Sequence, residues 1–222
     1  MPKGIRLEVW GPYALFSRPE LKTERVSYDA ITPSAARGLL DAILWHPGMR
    51  WVIDSVRVLN PIRFANIRRN EVKSKIDGKK VQSMMNGGEQ ASLNTRREIM
   101  QRASMVLIDV RYVITAHFDM TEKAAPGDTP DKFYAMACER MRAGRNFHTP
   151  CFGCREFPAS YRLLEKDEPM PETEASRGLD RDLGLMLYDL DYSNPRGGVT
   201  PMFFHAALRH GDMDCREVTI YR

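Results

Sequence analysis

The sequence predicts an α+β protein: a sheet with one open face, two helices, and a small C-terminal antiparallel β subdomain. Three observations predict it. Residues 106–120, VLIDVRYVITAHFDM, put Val106, Ile108, Val110, Tyr112, Ile114, Ala116, Phe118 and Met120 on one side, the alternation of a strand with one buried face. Two pairs, Thr32-Pro33 and Thr129-Pro130, each supply an N-cap and a proline at the first helical position. The elements follow the order strand, helix, strand, strand, helix, strand, which is the split βαβ, ferredoxin-like plan and also the RNA-recognition-motif-like one.

Taken in order, Ile5, Leu7 and Val9 alternate with Arg6, Glu8 and Trp10 in a first strand that ends at Gly11-Pro12. Residues 13–29 read as a loop with aromatics (Tyr13, Phe16, Tyr28) and charges (Arg18, Lys22, Arg25). The first helix follows Thr32-Pro33 through Ala36, Leu39, Leu40 and Ile43, and His46-Pro47-Gly48 stops it. A Val- and Ile-rich strand covers 51–59, Pro61 interrupts it, and Ile62, Phe64 and Ile67 continue toward Arg68-Arg69. The polar stretch 70–95 reads as an insertion outside the core, and 96–104 as a short helix. The long strand comes next, then a second helix over 131–142 that stops at Gly144. A strand region at 151–164, broken by Pro158, completes the set. Beyond the acidic linker EKDEPMPETE, two strand-like runs, 185–192 and 202–208, are joined through Asn194-Pro195-Arg196-Gly197-Gly198, and 218–221 offers a third. The expected division is therefore 1–164, carrying a basic insertion at about 69–104, and 165–222.

The composition narrows the function. At 43% hydrophobic residues the 222-residue chain can form a sizeable core. No apolar run approaches the roughly 20 residues of a membrane span, and MPKGIRLEVW lacks the apolar centre of a signal peptide. A cytoplasmic protein with no membrane partner is expected. The net charge is a mild +4, but 61–80 holds seven basic residues (Arg63, Arg68, Arg69, Lys73, Lys75, Lys79, Lys80) against two acidic ones. That local surplus of five exceeds the total, so the basic charge is concentrated, as in a polyanion-binding site. A solvated lysine-rich loop would look the same.

No phosphate-binding glycine loop, no G-x-G-x-x-G after a strand and no H-E-x-x-H is present, so no cofactor is expected. His148, Cys151 and Cys154 form H-x-x-C-x-x-C, but a closed zinc site needs a fourth ligand, and Cys138 and Cys215 stand alone. Ordinary free thiols and no metal are the reading. Carboxylates are scattered rather than clustered as two-metal nucleases require. Cleavage of nucleic acid would then fall to histidine, tyrosine, lysine or arginine. His117, on the odd face of the long strand with Arg111, Thr115 and Asp119, can titrate near neutral pH and reach a ligand.

Several long strings look alike to one family: GIRLEVWGPYALFSRPE, ERVSYDAITPSAARGLLDAI, NPIRFANIRRNEV, YVITAHF, HTPCFGCREFPASY and RDLGLMLYDLDY. The chain resembles the CRISPR-associated "Cas five" family in its subtype I-C form, over nearly its whole length. The resemblance implies a ferredoxin-like domain with a small C-terminal β subdomain. It implies an endoribonuclease that cuts precursor CRISPR RNA within its repeats, without metal and with the RNA's own 2′-hydroxyl as nucleophile. It implies retention of the 5′ handle as a type I-C Cascade subunit. The partners implied are CRISPR RNA (repeat hairpin and 5′ handle) and the Cascade backbone and large subunits, with target DNA as a further candidate. Of the family's assigned tyrosine, lysine and histidine, the histidine matches His117. The tyrosine position is Leu44, and the lysine falls where Thr115 and Ala116 stand. His46 is the candidate substitute acid or base. Arg63, Arg68, Arg69, Lys73, Lys75 and Arg37 are the candidate RNA-binding cations, with Tyr13 and Tyr28 as candidate base-stacking aromatics. The absent tyrosine and lysine leave a second reading, a handle-binding subunit that does not cut.

Overall fold

In the computed structural model, which describes residues 4–21, 23–90, 92–193 and 198–222, a mostly antiparallel sheet carries the molecule and few helices accompany it. Lys22 and the 194–197 part of the expected connection lie outside the described residues. The elements are β1 (Gly4–Ala14), β2 (Arg25–Val26), α1 (Pro33–Ile43), β3 (Met49–Val58), β4 (Phe64–Val72), α2 (Gly78–Met85), β5 (Ile99–Met120), α3 (Pro130–Arg142), β6 (Ser160–Leu164), α4 (Glu174–Arg177), β7 (Arg181–Asp191), β8 (Thr200–Leu208) and β9 (Asp212–Asp214). The main sheet runs β6-β1-β5-β3-β9, with β2 and β4 also paired to β5, while β7 and β8 form a separate two-stranded sheet.

Both helix starts form as their chemistry dictates. The Thr32 and Thr129 side chains accept hydrogen bonds from the Ala35 and Lys132 amides, at 3.1 and 3.2 Å. Ala36, Leu39, Leu40 and Ile43 of α1 and Phe133, Ala137 and Met141 of α3 enter one core with the even residues of β5. Ile5, Leu7 and Val9 of β1 and Trp51, Ile53, Val56 and Val58 of β3 complete it.

Several sequence expectations change. Residues 96–104 are no helix: from Ile99 they extend β5, pairing Phe64↔Leu107 through Val72↔Ile99. Glu98, Met100, Gln101, Arg102 and Ala103 favour helix locally, but the β4 ladder overrides so weak a preference. The polar stretch 70–95 contains α2, capped by Asp77, with no buried residue. The 13–29 loop is shorter, since β1 continues to Ala14 and β2 joins β5 in parallel. Finally, 218–221 is not a strand of the hairpin sheet: Tyr221 makes one isolated bridge to Phe203, and the third strand, β9, joins β3 of the main sheet.

The 151–164 region is strand only from Ser160. Its first half is a tight loop beneath β1. Phe152 is buried against Phe16 and Tyr112, with ring centroids 6.1 Å from each. Gly153 adopts φ +80°, and a Cβ there would lie 1.9 Å from the Leu15 carbonyl oxygen, so only glycine fits.

The odd face of the sheet is partly covered. Leu59, Val113 and Leu164 form an apolar cluster there, capped by Met170. The acidic linker crosses the strands to reach it. Arg6 of β1 donates to the Glu165 and Lys166 carbonyls, Arg162 of β6 pairs with Glu168 at 2.7 Å, and the Thr173 hydroxyl donates to the Leu59 carbonyl beyond β3. Apolar side chains on the otherwise polar face require such a cover. The segment 165–173 thus divides the face in two, one end holding His117 and the other holding Trp10 and Arg111.

Candidate nucleic-acid interface and histidine site

His117 lies in the middle of the sheet, opposite Gly4 of β1 and Val52 of β3. Its Nδ1 is 2.8 Å from Asp54 Oδ1, with about a fifth of each side chain exposed. Asp54 occupies a register shift in β3, between the pairs Ile53↔Ala116 and Ser55↔Thr115. An irregularity of this kind re-aims a side chain that regular pleating would send elsewhere. The Asp54 carbonyl accepts the Cys215 amide at 2.9 Å, which ties the bulge to the chain just after β9. A carboxylate only accepts, so an Asp54 carboxylate orients the ring with Nδ1–H as donor and leaves Nε2 for a ligand. Asp119 Oδ1 stands 3.9 Å from Nε2, too far for a hydrogen bond.

Sequence reasoning found His117 by its alternation but missed Asp54, because no periodicity announces a bulge. It also missed Arg6. Cross-strand partners share a face, and Arg6 lies opposite Thr115, diagonal to His117. Its guanidinium donates to backbone carbonyls of the crossing segment.

His46 is not brought to His117. It accepts the Gly48 amide at 3.0 Å and packs on Phe133, centroids 4.8 Å apart, and Phe133 in turn meets Phe118 on the even face. The two histidines therefore serve opposite faces of the sheet. Leu44 is 2% exposed and its carbonyl accepts Trp51 Nε1–H at 2.9 Å. Ala116 is buried on the even face, while Thr115 shares the His117 face.

The basic arm is the β4–β5 ribbon. Side chains alternate along β4, so Arg68 is exposed while Arg69 turns inward to pair with Glu156 and lie 5.6 Å from the Phe157 ring. Lys73 and Lys75 are exposed beyond it. Arg63 is exposed and pairs with Asp109 at 2.6 Å. Three RNA-binding assignments need correction, the first being Arg69, which is engaged by Glu156 rather than free for RNA. Tyr28 is 2% exposed, its ring under the Arg18 guanidinium at 4.6 Å, so it packs in the core and has no face for a base. Arg37 is occupied: with Arg50 it clamps the buried Asp189, at 2.6 and 2.9 Å.

Tyr13 is 40% exposed, with its ring 5.7 Å from Phe157. It lines a groove of about 1010 Å³ at the other end of the face, with Trp10, Asn60, Asp109, Arg111 and Arg162. Glu8 is buried there between Arg111 Nε at 2.7 Å and Arg162 Nη2 at 2.6 Å. Burial opposes its charge, but hydrogen bonds from Arg162 and Arg111 outweigh that and hold its carboxyl below the usual range.

All four cysteines are free. Burial pushes the Cys151 and Cys154 thiols up, and Cys215, buried near Asp214 and Asp54, up to about 12. Among the described residues no group of three or more His, Cys, Asp and Glu side chains is arranged to hold a metal, and no helix is long and apolar enough to cross a membrane.

Comparison with known proteins covers nearly the whole chain. The profile of the CRISPR-associated protein Cas5 family matches residues 4–216. A CRISPR pre-crRNA endoribonuclease Cas5d of Mannheimia succiniciproducens is 48% identical over 217 residues, covering 96% of this chain and 95% of the relative. A protein of the same description from Thermus thermophilus is 37% identical over 223 residues, covering 93% and 89%. In fold, the crystal structure of a CRISPR-associated protein superposes with a TM-score of 0.71 at 21% identity, covering 100% of this chain and 97% of the other. A functionally uncharacterized protein from Streptococcus mutans gives 0.69 at 20%, covering 100% and 98%.

Proposed function

The chain belongs to the CRISPR-associated Cas5 family, and from that premise we propose that it is an endoribonuclease that cleaves precursor CRISPR RNA within its repeats. The relatives of that name align over nearly its full length. We read the main sheet as ferredoxin-like. The strand order β6-β1-β5-β3, with α1 between β1 and β3 and α3 between β5 and β6, supports that reading.

The observation that carries the chemistry is the His117–Asp54 pair. In the proposed reaction, which needs no metal, His117 Nε2 takes the proton from an RNA 2′-hydroxyl. The 2′-oxygen attacks the adjacent phosphorus, and the bond from phosphorus to the 5′-oxygen breaks. Asp54 holds the ring and steadies the imidazolium that forms, as the carboxylate does in histidine-based triads. Arg6, on the same face and diagonal to His117 across β1 and β5, is a candidate cation for the phosphate. The products are a 2′,3′-cyclic phosphate and a 5′-hydroxyl, the 5′-oxygen regaining its proton from the imidazolium or from water. The exposed cations of the arm, Arg68, Lys73 and Lys75, hold the RNA backbone. The repeat hairpin and the retained 5′ handle are the RNA elements bound. The setting is a cytoplasmic type I-C Cascade, beside its backbone and large subunits and within reach of target DNA.

A second reading is favoured by Leu44, Thr115 and Ala116, none of them ionisable, which stand where the resemblance puts a tyrosine and a lysine. Under it the chain binds the handle and does not cut. Repeat RNA with a single 2′-deoxy sugar 5′ to the scissile phosphate separates the two. The proposed reaction predicts cutting of the all-ribose RNA and none of the deoxy-substituted one, with both bound equally. Binding of both without cutting establishes the second reading.

A further inference from the structure

We propose that the groove at the Trp10 end of the sheet is a subsite for unpaired nucleobases, which stack on Trp10 and Tyr13. The inference deepens the RNA-processing reading and rests on RNA being the ligand, but not on cleavage. Trp10 stands opposite Arg111 on β5 and Ser160 on β6, at the centre of three strands. It is 39% exposed, and Tyr13, 40% exposed, shares the same groove. Single exposed aromatics are ordinary, but two lining one concave site offer a stacking platform.

The charge of the groove argues for bases rather than phosphates. Arg111 and Arg162 are both committed to Glu8, and Arg63 to Asp109. The lining is thus close to neutral and rich in fixed donors and acceptors, which suits the polar edge and π-face of a base. The rim adds Asp109, a non-glycine residue at φ +52° whose carbonyl accepts Asn60 Nδ2–H at 2.8 Å. A residue held in that sparsely populated region is a recurrent mark of ligand sites.

Position assigns the subsite its part in the reaction. Trp10 is opposite Arg111, and His117 is six residues further along β5, about 20 Å away. The crossing segment 165–173 lies between them. The groove therefore holds nucleotides several positions from the cut, as a site that retains product would.

The test measures binding of single-stranded repeat RNA across a range of salt, in the His117→Ala background so that nothing is cut. Trp10→Ala and Tyr13→Ala are expected to weaken binding about 5- to 150-fold each, with the salt slope and thermal unfolding unchanged. Trp10→Phe should restore most of the loss. RNA with abasic sites through the 5′ handle should bind the Trp10 protein weakly and lose nothing more with Trp10→Ala. Unchanged affinity in both alanine variants overturns the proposal, as does equal binding of abasic RNA. So does normal RNA binding combined with loss of assembly with the other Cascade subunits, which would make the groove a protein interface. Retained cleavage by His117→Ala would remove the histidine mechanism and leave the groove standing.

Discussion

Asp54 reaches His117 because β3 loses register with β5 at that residue, and this pair is the smallest unit of the proposed chemistry. Replacing Asp54 with Asn keeps the size of the side chain but lets an amide face Nδ1, so neither ring tautomer is enforced. Asp54→Asn should lower the cleavage rate by one to two orders of magnitude, within the roughly 10²–10⁴ that a general acid–base group supplies, while RNA affinity stays the same. The ¹⁵N shifts of the His117 ring should report a mixture of tautomers in the variant and one form in the parent. An unaltered rate with altered shifts would make Asp54 a structural partner only. At this scale the sequence showed which face His117 occupies, because alternation needs no tertiary information. It could not show Asp54, whose role exists only through the bulge. It left Tyr28 as a candidate for base stacking, with packing against the first helix as the alternative, because an aromatic in a charged segment has no periodicity to mark it as core.

At the scale of the element, the β4–β5 arm separates two neighbouring arginines by the simple pleat of a strand. Arg68 points to solvent, and Arg69 turns back onto Glu156 and Phe157. Arg68→Ala should weaken RNA binding and reduce the log–log salt slope by about 0.7, the share of one phosphate contact on single-stranded RNA. Arg69→Ala should leave that slope alone and cost about 1 kcal/mol of stability, the scale of a partly exposed ion pair with a cation–π contact. Equal salt slopes in Arg68→Ala and the parent would make the arm an ordinary solvated ribbon. The basic focus of the arm was legible from composition. Its architecture was not, since a ribbon whose partner strand lies some thirty residues away leaves no local signal, and helix-favouring residues masked the start of β5. The starts of α1 and α3, by contrast, were fully legible, because a Thr cap followed by proline acts within four residues.

For the whole molecule, the mixture of strands with few helices was legible, while α2, α4, β2 and the strand identity of 99–104 were not. What the succession of elements could not carry was the course of 165–173. The acidic linker reads as a spacer, yet it crosses four strands and divides the polar face into a histidine end and an aromatic end. The segment runs where it does because Leu59, Val113 and Leu164 leave apolar surface on that side, a consequence of register rather than of composition. In the proposed reading, one molecule then offers two RNA stations on one face, with the basic arm beside them. The central claim is that the chain cuts RNA through His117, although Leu44, Thr115 and Ala116 stand where the resemblance puts a tyrosine and a lysine. The measurement that tests it most directly is cleavage of the repeat RNA of its own locus in EDTA, by the parent and by His117→Ala, with product size read on a denaturing gel. The account predicts one cut by the parent and its loss in the variant, with RNA binding kept. Tight binding by both proteins with no cut by either would contradict it and make the chain a handle-binding scaffold.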